Sequence, residues 1–274
     1  MRKWLSSVAM ATACLISLTA CGATTGTNNA VKNTTGSTTK QDLYQHIKAT
    51  GVIRIGTEGT YAPFDFHDKS GQLTGFDVDI ATEVAKKIGV KPNFLEAQWD
   101  GMFAGLNANR FDMIADEVSI RPDRQKKYDF SNPYIVSKAV LIVRKDNTTI
   151  HSFKDLKGKK AGQSLTSNLA DIARSNGAQI VSTQGFNEAI SLLESGRIDA
   201  TVNDGLSFLD LVKHTPNVPL KIVDTYPNAS KNGFMFKKGN QDLIDAVNKA
   251  LAAMMKDGTY LKISQKYFGA DVSK

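Results

Sequence analysis

The chain has 274 residues, 41% of them hydrophobic and 22% charged, a mixture that excludes a disordered or multi-spanning protein and a length that predicts about two domains. Its formal charge is +7, but the 34 Lys and Arg are scattered rather than gathered in one run, which argues against nucleic-acid binding and suits work near anionic envelope polymers. The two cysteines, Cys14 and Cys21, both lie near the N-terminus, so no disulfide staples the fold. Arg2 and Lys3 open the chain, followed over residues 4–20 by an apolar stretch diluted by Ser and Thr. A membrane span needs about 20 strongly apolar residues. This run is shorter and uneven, so residues 1–20 are expected to be a secretory signal.

The stretch ends in Leu18-Thr19-Ala20-Cys21, which resembles a bacterial lipobox. The resemblance implies that Cys21 receives a diacylglycerol and becomes the first mature residue. Cleavage there removes Arg2 and Lys3 and no acid, so the charge of +7 falls by two to +5. Residues 21–40 are rich in Thr, Asn, Ser and Gly and hold almost no large apolar side chain. Such a segment buries too little surface to offset its ordering entropy and is expected to be a flexible tether. Anchor and tether together place the folded body at the extracytoplasmic face of the cell membrane.

After a leading helix, Val52-Ile53-Arg54-Ile55 alternates as a strand and runs into the glycine-punctuated loop Gly56-Thr57-Glu58-Gly59-Thr60-Tyr61. Ile80, Val84 and Ile88 recur at i, i+4 and i+8, with Ala81 and Ala85 widening the face, which predicts a helix opened by Asp77 and stopped at Gly89. Asp77 and Asp79 would cap that helix and favour its dipole, or form a metal pair. A strand over 93–97, a short helix over 102–109 and a strand over 111–115 continue the alternation of an α/β sheet. Ala139-Val140-Leu141-Ile142-Val143 reads as a buried or hinge strand. The pattern then restarts with strands over 160–163, 179–182 and 198–202 and helices from Ser167, over 187–194 and over 206–212. Gly233-Phe234-Met235-Phe236 reads as a returning strand, and helices over 242–255 and 260–267 close the chain.

The usual catalytic signatures are missing. His46, His67, His151 and His214 share no ligand spacing, and no HExxH, CxxC, GxxxxGK[ST] or GxSxG occurs. Acylation of Cys21 would remove the mature chain's only thiol. No metal or cofactor is expected, and an enzyme becomes the weaker class.

A set of segments stands at predicted strand ends and loops: the loop of residues 56–64, Gly75-Phe76-Asp77-Val78-Asp79, Trp99-Asp100-Gly101-Met102 and Ser119-Ile120-Arg121-Pro122-Asp123-Arg124. Downstream come Asp129-Phe130-Ser131-Asn132-Pro133-Tyr134, Leu156-Lys157-Gly158-Lys159-Lys160 and Gly196-Arg197-Ile198-Asp199-Ala200. Together, over residues 50–274, they resemble the polar amino-acid substrate-binding proteins of ABC importers, solute-binding protein family 3. The loop at 56–61, Trp99–Met102 and the ending Tyr267-Phe268-Gly269-Ala270-Asp271-Val272 are most similar to its cystine-binding members. The resemblance implies an α/β fold of two lobes, 41–137 plus 231–274 and 138–230, with hinge strands near 139–143 and 232–236 and the ligand in the cleft. It also implies an amino-acid ligand, with cystine favoured, ABC permease and ATPase partners, and a monomer.

A zwitterion needs a cationic fork for its carboxylate and an anion for its ammonium. Arg124 matches the family's carboxylate-binding arginine, and a guanidinium can donate two parallel hydrogen bonds to one carboxylate. Its bland alternative is a surface ion pair with Asp123 or Asp129, while nearby Arg121 is expected to be solvated. Asp204 matches the ammonium-binding aspartate; its plainer role is to cap the following helix. Ser119 would add a hydroxyl, and Thr166, Ser167 and Asn168 begin a helix whose free N–H groups suit a carboxylate. Tyr61 and Trp99 match positions flanking the ligand side chain, although both are equally ordinary core residues. Glu58 sits where the family selects side chains, and a carboxylate there favours a distal cation. Asp116 and Glu117 depart from the family, where uncharged polar residues are usual. They would bias the pocket toward cationic ligands, or point outward and leave only the Glu117 carbonyl facing the ligand. Two other classes remain: an enzyme similar to periplasmic cyclohexadienyl dehydratases, with Glu117 as its acid, and an adhesin, which no residue here specifies.

Overall fold

The computed structural model describes residues 42–274; the signal segment, Cys21 and the tether lie outside the described residues. Two mixed five-stranded sheets carry the two lobes. The first runs Lys91–Glu96, Val52–Thr57, Met113–Ile114, Met235–Lys237, Tyr128–Phe130, and the second Gln179–Ser182, Lys160–Gln163, Ala200–Asp204, Ala139–Arg144, Leu220–Thr225.

In the first sheet Val52–Thr57 lies parallel to both neighbours, with Ile53 opposite Pro92 and Ile55 opposite Phe94. Ile53 and Ile55 are fully buried, whereas Arg54 turns out to grip Asp112 through Nη2 at 2.6 Å. The apolar stripe of helix Phe76–Lys87 (Ile80, Ala81, Val84, Ala85) packs into this core with Leu243, Val247, Leu251 and Met254 of helix Gln241–Asp257.

That first helix starts differently from the expectation. Gly75 is the N-cap at φ +135°, a conformation open to glycine, and a Cβ there would stand 2.2 Å from the Phe64 carbonyl oxygen. Asp77 does not cap; its Oδ2 accepts the Glu117 N–H at 2.6 Å, tying the helix start to the segment that follows strand Met113–Ile114. Asp79 reaches instead to Lys266 Nζ at 2.7 Å and the Tyr267 hydroxyl at 2.8 Å. Gly75→Ala should therefore cost about 3 kcal/mol or more in urea unfolding, strain and overpacking acting together; an unchanged midpoint would contradict this.

The run Ala139–Arg144 is an interior sheet strand, antiparallel to Ala200–Asp204 and to Leu220–Thr225. Leu141 and Val143 enter one core with Phe153 and Leu156, while Val140 and Ile142 enter another with Phe186 and Leu193. Coverage on both faces explains the unbroken apolar sequence and corrects the hinge placement. The chain passes between sheets through a separate antiparallel pair, Ile135–Ser137 with Ser230–Asn232.

Leu220–Thr225 and Tyr128–Phe130 escape the periodicity reading. Leu220–Thr225 carries Lys221 and Asp224 and is interrupted by a bulge between Ile222 and Asp224, and Tyr128–Phe130 has only three residues. Among the described residues no helix is long and apolar enough to cross a membrane.

Candidate ligand-binding cleft

Strand ends from both sheets open onto a cavity of about 640 Å³. This is the usual place for a ligand in α/β folds, beyond the carboxyl ends of the strands. Glu58 and Tyr61 follow Val52–Thr57, and Asp116, Glu117 and Ser119 follow Met113–Ile114; from the second sheet come Ser167 and Asn168, beyond Lys160–Gln163, and Asn203 and Asp204, which end Ala200–Asp204.

Arg124, on helix Pro122–Gln125, is 6% exposed and packs against Ser119 and Trp99, which line the cavity. Its Nη1 donates to the Ser119 carbonyl at 3.1 Å, and its guanidinium lies 5.3 Å from the ring centres of both Trp99 and Phe103. Nη2 has no partner. Burial, helped by Arg121, lowers its pKa to about 10, still fully charged at neutral pH. The surface-pair alternative fails, because Asp123 bonds Arg121 Nε at 3.0 Å and Asp129 bonds Lys238 at 3.1 Å. A buried, uncompensated guanidinium with a free donor calls for an anion.

Arg121 is not solvated as expected. It lines the cavity rim and its Nη1 bonds Asp171 Oδ2 across the cleft at 2.8 Å.

Glu117 points inward. Its Oε1 accepts from Asn232 Nδ2 at 2.7 Å and Ser137 Oγ at 3.1 Å, and its Oε2 lies 3.2 Å from the Tyr61 hydroxyl. The residue holds φ +45°, unusual for a side-chain-bearing residue and a mark of local constraint. The Tyr61 hydroxyl donates across to Asn203 Oδ1 at 2.9 Å. Asp204, 4% exposed, caps helix Gly205–His214 by accepting the Leu206 N–H at 2.8 Å, and also lines the cavity. Burial raises the pKa of both Glu117 and Asp204, and Glu117 rises further because it faces Asp204.

Two more acids stand near the Trp99 side. Glu58 accepts the Trp99 N–H at 3.3 Å, and burial, only partly offset by that bond, lifts its pKa to about 7. Asp116 is 1% exposed with neither oxygen partnered, and burial followed by neighbouring Asp65 and Glu58 pushes it well up. Asp65 itself accepts the Gly59 N–H at 2.6 Å. The cavity thus gathers carboxyl groups ready for a cationic group, with the Arg124 guanidinium against Ser119 and Trp99 of its lining.

Ser119 Oγ lies 2.9 Å from Ser230 Oγ, within a polar chain ending at Asn232. Ser167 caps helix Asn168–Ser175, accepting from Ala170 N at 3.0 Å and donating to the Ser164 carbonyl at 2.9 Å. Asn168 lines the cavity. Thr166 does not: its N–H and hydroxyl both go to Asp100 Oδ1, at 3.0 and 2.7 Å. Among the described residues no grouping of three His, Cys, Asp or Glu could hold a metal ion. Asn203, Asn232, Ser137 and Asp65 went unnoticed in the sequence. Asn203 could have been found beside Asp204 at a strand end, whereas Asn232 meets Glu117 only through the return of the chain.

Against known proteins, the family model of bacterial extracellular solute-binding proteins, family 3, matches residues 53–270. The chain is 45% identical over 275 residues to the L-cystine-binding protein TcyA of Bacillus subtilis (strain 168), covering all of both chains. Among solved structures it is 40% identical to an ancestral arginine-binding protein bound to arginine, with TM-score 0.75, covering 80% of this chain and 98% of that one. It is 43% identical to the L-cystine solute receptor of Neisseria gonorrhoeae in the unliganded open conformation, with TM-score 0.57 and coverage of 84% and 98%. With the family match spanning most of both lobes, the chain belongs to the bacterial extracellular solute-binding proteins of family 3.

Proposed function

We propose that this protein captures L-cystine by closing its two lobes on the amino acid and delivers it to an ABC permease. The observation that carries the amino-acid clamp is Arg124, a buried guanidinium with a free Nη2, in a fold whose second sheet presents Asp204 to the cavity. The α-carboxylate would take the guanidinium and the helix start at Ser167 and Asn168, and the α-ammonium would take Asp204 and Glu117. Tyr61 and Trp99 would enclose the sulfurs, and Glu58 with Asp116 would take the second ammonium. Cystine as the ligand is supported by the relative TcyA, an L-cystine-binding protein.

A second reading, a cationic amino acid such as arginine or lysine, is favoured by three acids that line the cavity, Glu58, Asp116 and Glu117. The lobe boundaries belong to the same proposal, 41–137 plus 231–274 and 138–230, as do the Cys21 lipid anchor and a monomeric receptor. A dehydratase is disfavoured by the relative TcyA, which is an L-cystine-binding protein and not an enzyme by its name.

Calorimetry on protein unfolded and refolded to strip carried ligand, titrated with cystine and each amino acid, tests the assignment. Selective cystine binding is expected. Preference for arginine or lysine would keep the clamp and transfer specificity to the acids, and no binding at all would overturn the receptor.

A further inference from the structure

Asp100 stands near the start of helix Trp99–Asn107 in the first lobe and does not line the cavity. Its Oδ1 takes the N–H and hydroxyl of Thr166, and its Oδ2 takes the Leu165 N–H at 3.2 Å. These groups belong to the second lobe, in the turn leading into helix Asn168–Ser175. The helix dipole favours an anion at that end.

From helix Asn168–Ser175, Asp171 bonds Arg121, its Oδ1 accepts from Arg174 Nη1 at 3.0 Å, and Arg174 Nη2 returns to the Leu165 carbonyl at 2.7 Å. The turn is thus fastened to the first lobe directly through Asp100 and braced again through Arg174, Asp171 and Arg121. All three side-chain hydrogen bonds of Asp100 run from the first lobe to the second, so opening the cleft would break them.

We infer that Asp100 is a ligand-independent latch: by docking the turn of residues 165–166 it sets the open–closed balance of the empty protein, and so scales the affinity for every ligand by one common factor. This positioning role rests on the reading of the chain as a closing receptor. It follows from population arithmetic. If ligand binds the closed form, the apparent Kd equals the closed-state Kd multiplied by one plus the open-to-closed ratio. A latch that touches no ligand changes only that ratio.

Asp100→Ala is expected to raise the ratio about tenfold. Where the empty wild type is mostly open, the Kd for L-cystine and for L-arginine each rises by about that factor. Where it is mostly closed, small-angle scattering of the ligand-free variant shows a larger radius of gyration than wild type. Thr166→Val removes one of the three bonds and should move the same readouts in the same direction by about two- to threefold. Asp100 is solvent-exposed, so both variants should keep their ligand-free melting temperature.

Unequal factors for two ligands would make Asp100 a ligand contact, and unchanged affinity together with unchanged scattering would overturn the latch. If the wild type binds neither amino acid, the proposed ligand class fails and scattering alone decides; identical curves for wild type and Asp100→Ala then overturn the latch as well.

Discussion

Arg124→Ala should remove amino-acid binding to within calorimetric detection, a loss of about 3–5 kcal/mol, or roughly a hundredfold to several thousandfold in Kd. Truncating one member of a desolvated charge pair leaves the other buried without its partner, and among the described residues no second Lys or Arg is buried. The empty protein should scarcely notice. Its guanidinium is already uncompensated, with Nη2 unpaired, so deletion relieves a buried charge while giving up contact with Trp99 and Phe103. Arg124→Lys keeps the charge and loses the planar fork, and should fall between the two. Arg121→Ala offers the contrast. It breaks the partly exposed pair with Asp171, and its effect should stay below about tenfold and shrink further in high salt. Titration of all three variants alongside ligand-free melting separates lost recognition from lost folding. Near wild-type affinity in Arg124→Ala would remove it from the site.

The contrast between these two arginines shows where the sequence stops being informative. Arg121 and Arg124 sit in one hexapeptide, and only the resemblance to a family distinguished them. What turns Arg124 inward is the four-residue helix begun by Pro122, which aims it under Trp99 and Phe103. Neither ring announces such a contact from its place in the chain. The strand–helix alternation was legible because local periodicity encodes it, as in Val52–Thr57 and helix Phe76–Lys87. The strand Ala139–Arg144 stayed ambiguous because an unbroken apolar run says it is buried on both faces without saying between which neighbours.

Polar placement was the least legible. Thr166 looked like a ligand donor at a helix start, but its donors are consumed by Asp100, a residue 66 positions away. Asp77 looked like a helix cap and instead holds the Glu117 backbone, 40 positions away. Glu117 could have faced either way; Asn232, Ser137 and Tyr61 decide it, and all three reach it through tertiary closure. Local composition cannot encode partners that distant.

The buried acids also dictate an unusual pH profile: the ligand-free protein should be more stable at pH 5 than at pH 8. Burial raises the pKa of Asp77 and of Glu58 to about 7, the Trp99 and Glu117 N–H bonds offsetting only part of that, and raises Asp65, Asp116 and Glu117 as well. In the unfolded chain such groups titrate near pH 4. Between about pH 4 and 7 the unfolded chain therefore releases protons that the folded protein retains, and stability falls as pH rises. For Asp77 alone, about three pH units at 1.4 kcal/mol each amount to roughly 4 kcal/mol. The exposed ion pairs work the other way, but Lys87 holds Asp257 below the ordinary carboxylate range, so that contribution changes only under more acidic conditions. A bound ammonium supplies the missing countercharge. Binding at neutral pH should release protons, and the gain in melting temperature on adding ligand should be larger at pH 8 than at pH 5. Asp77→Asn keeps an acceptor for the Glu117 N–H and cannot ionise. It should melt close to wild type at pH 5 and above wild type at pH 8, flattening the curve. Melting scans from pH 5 to 8, with and without ligand, read both effects; a wild-type protein that gains stability across that range would show that these carboxyl groups ionise freely in the fold.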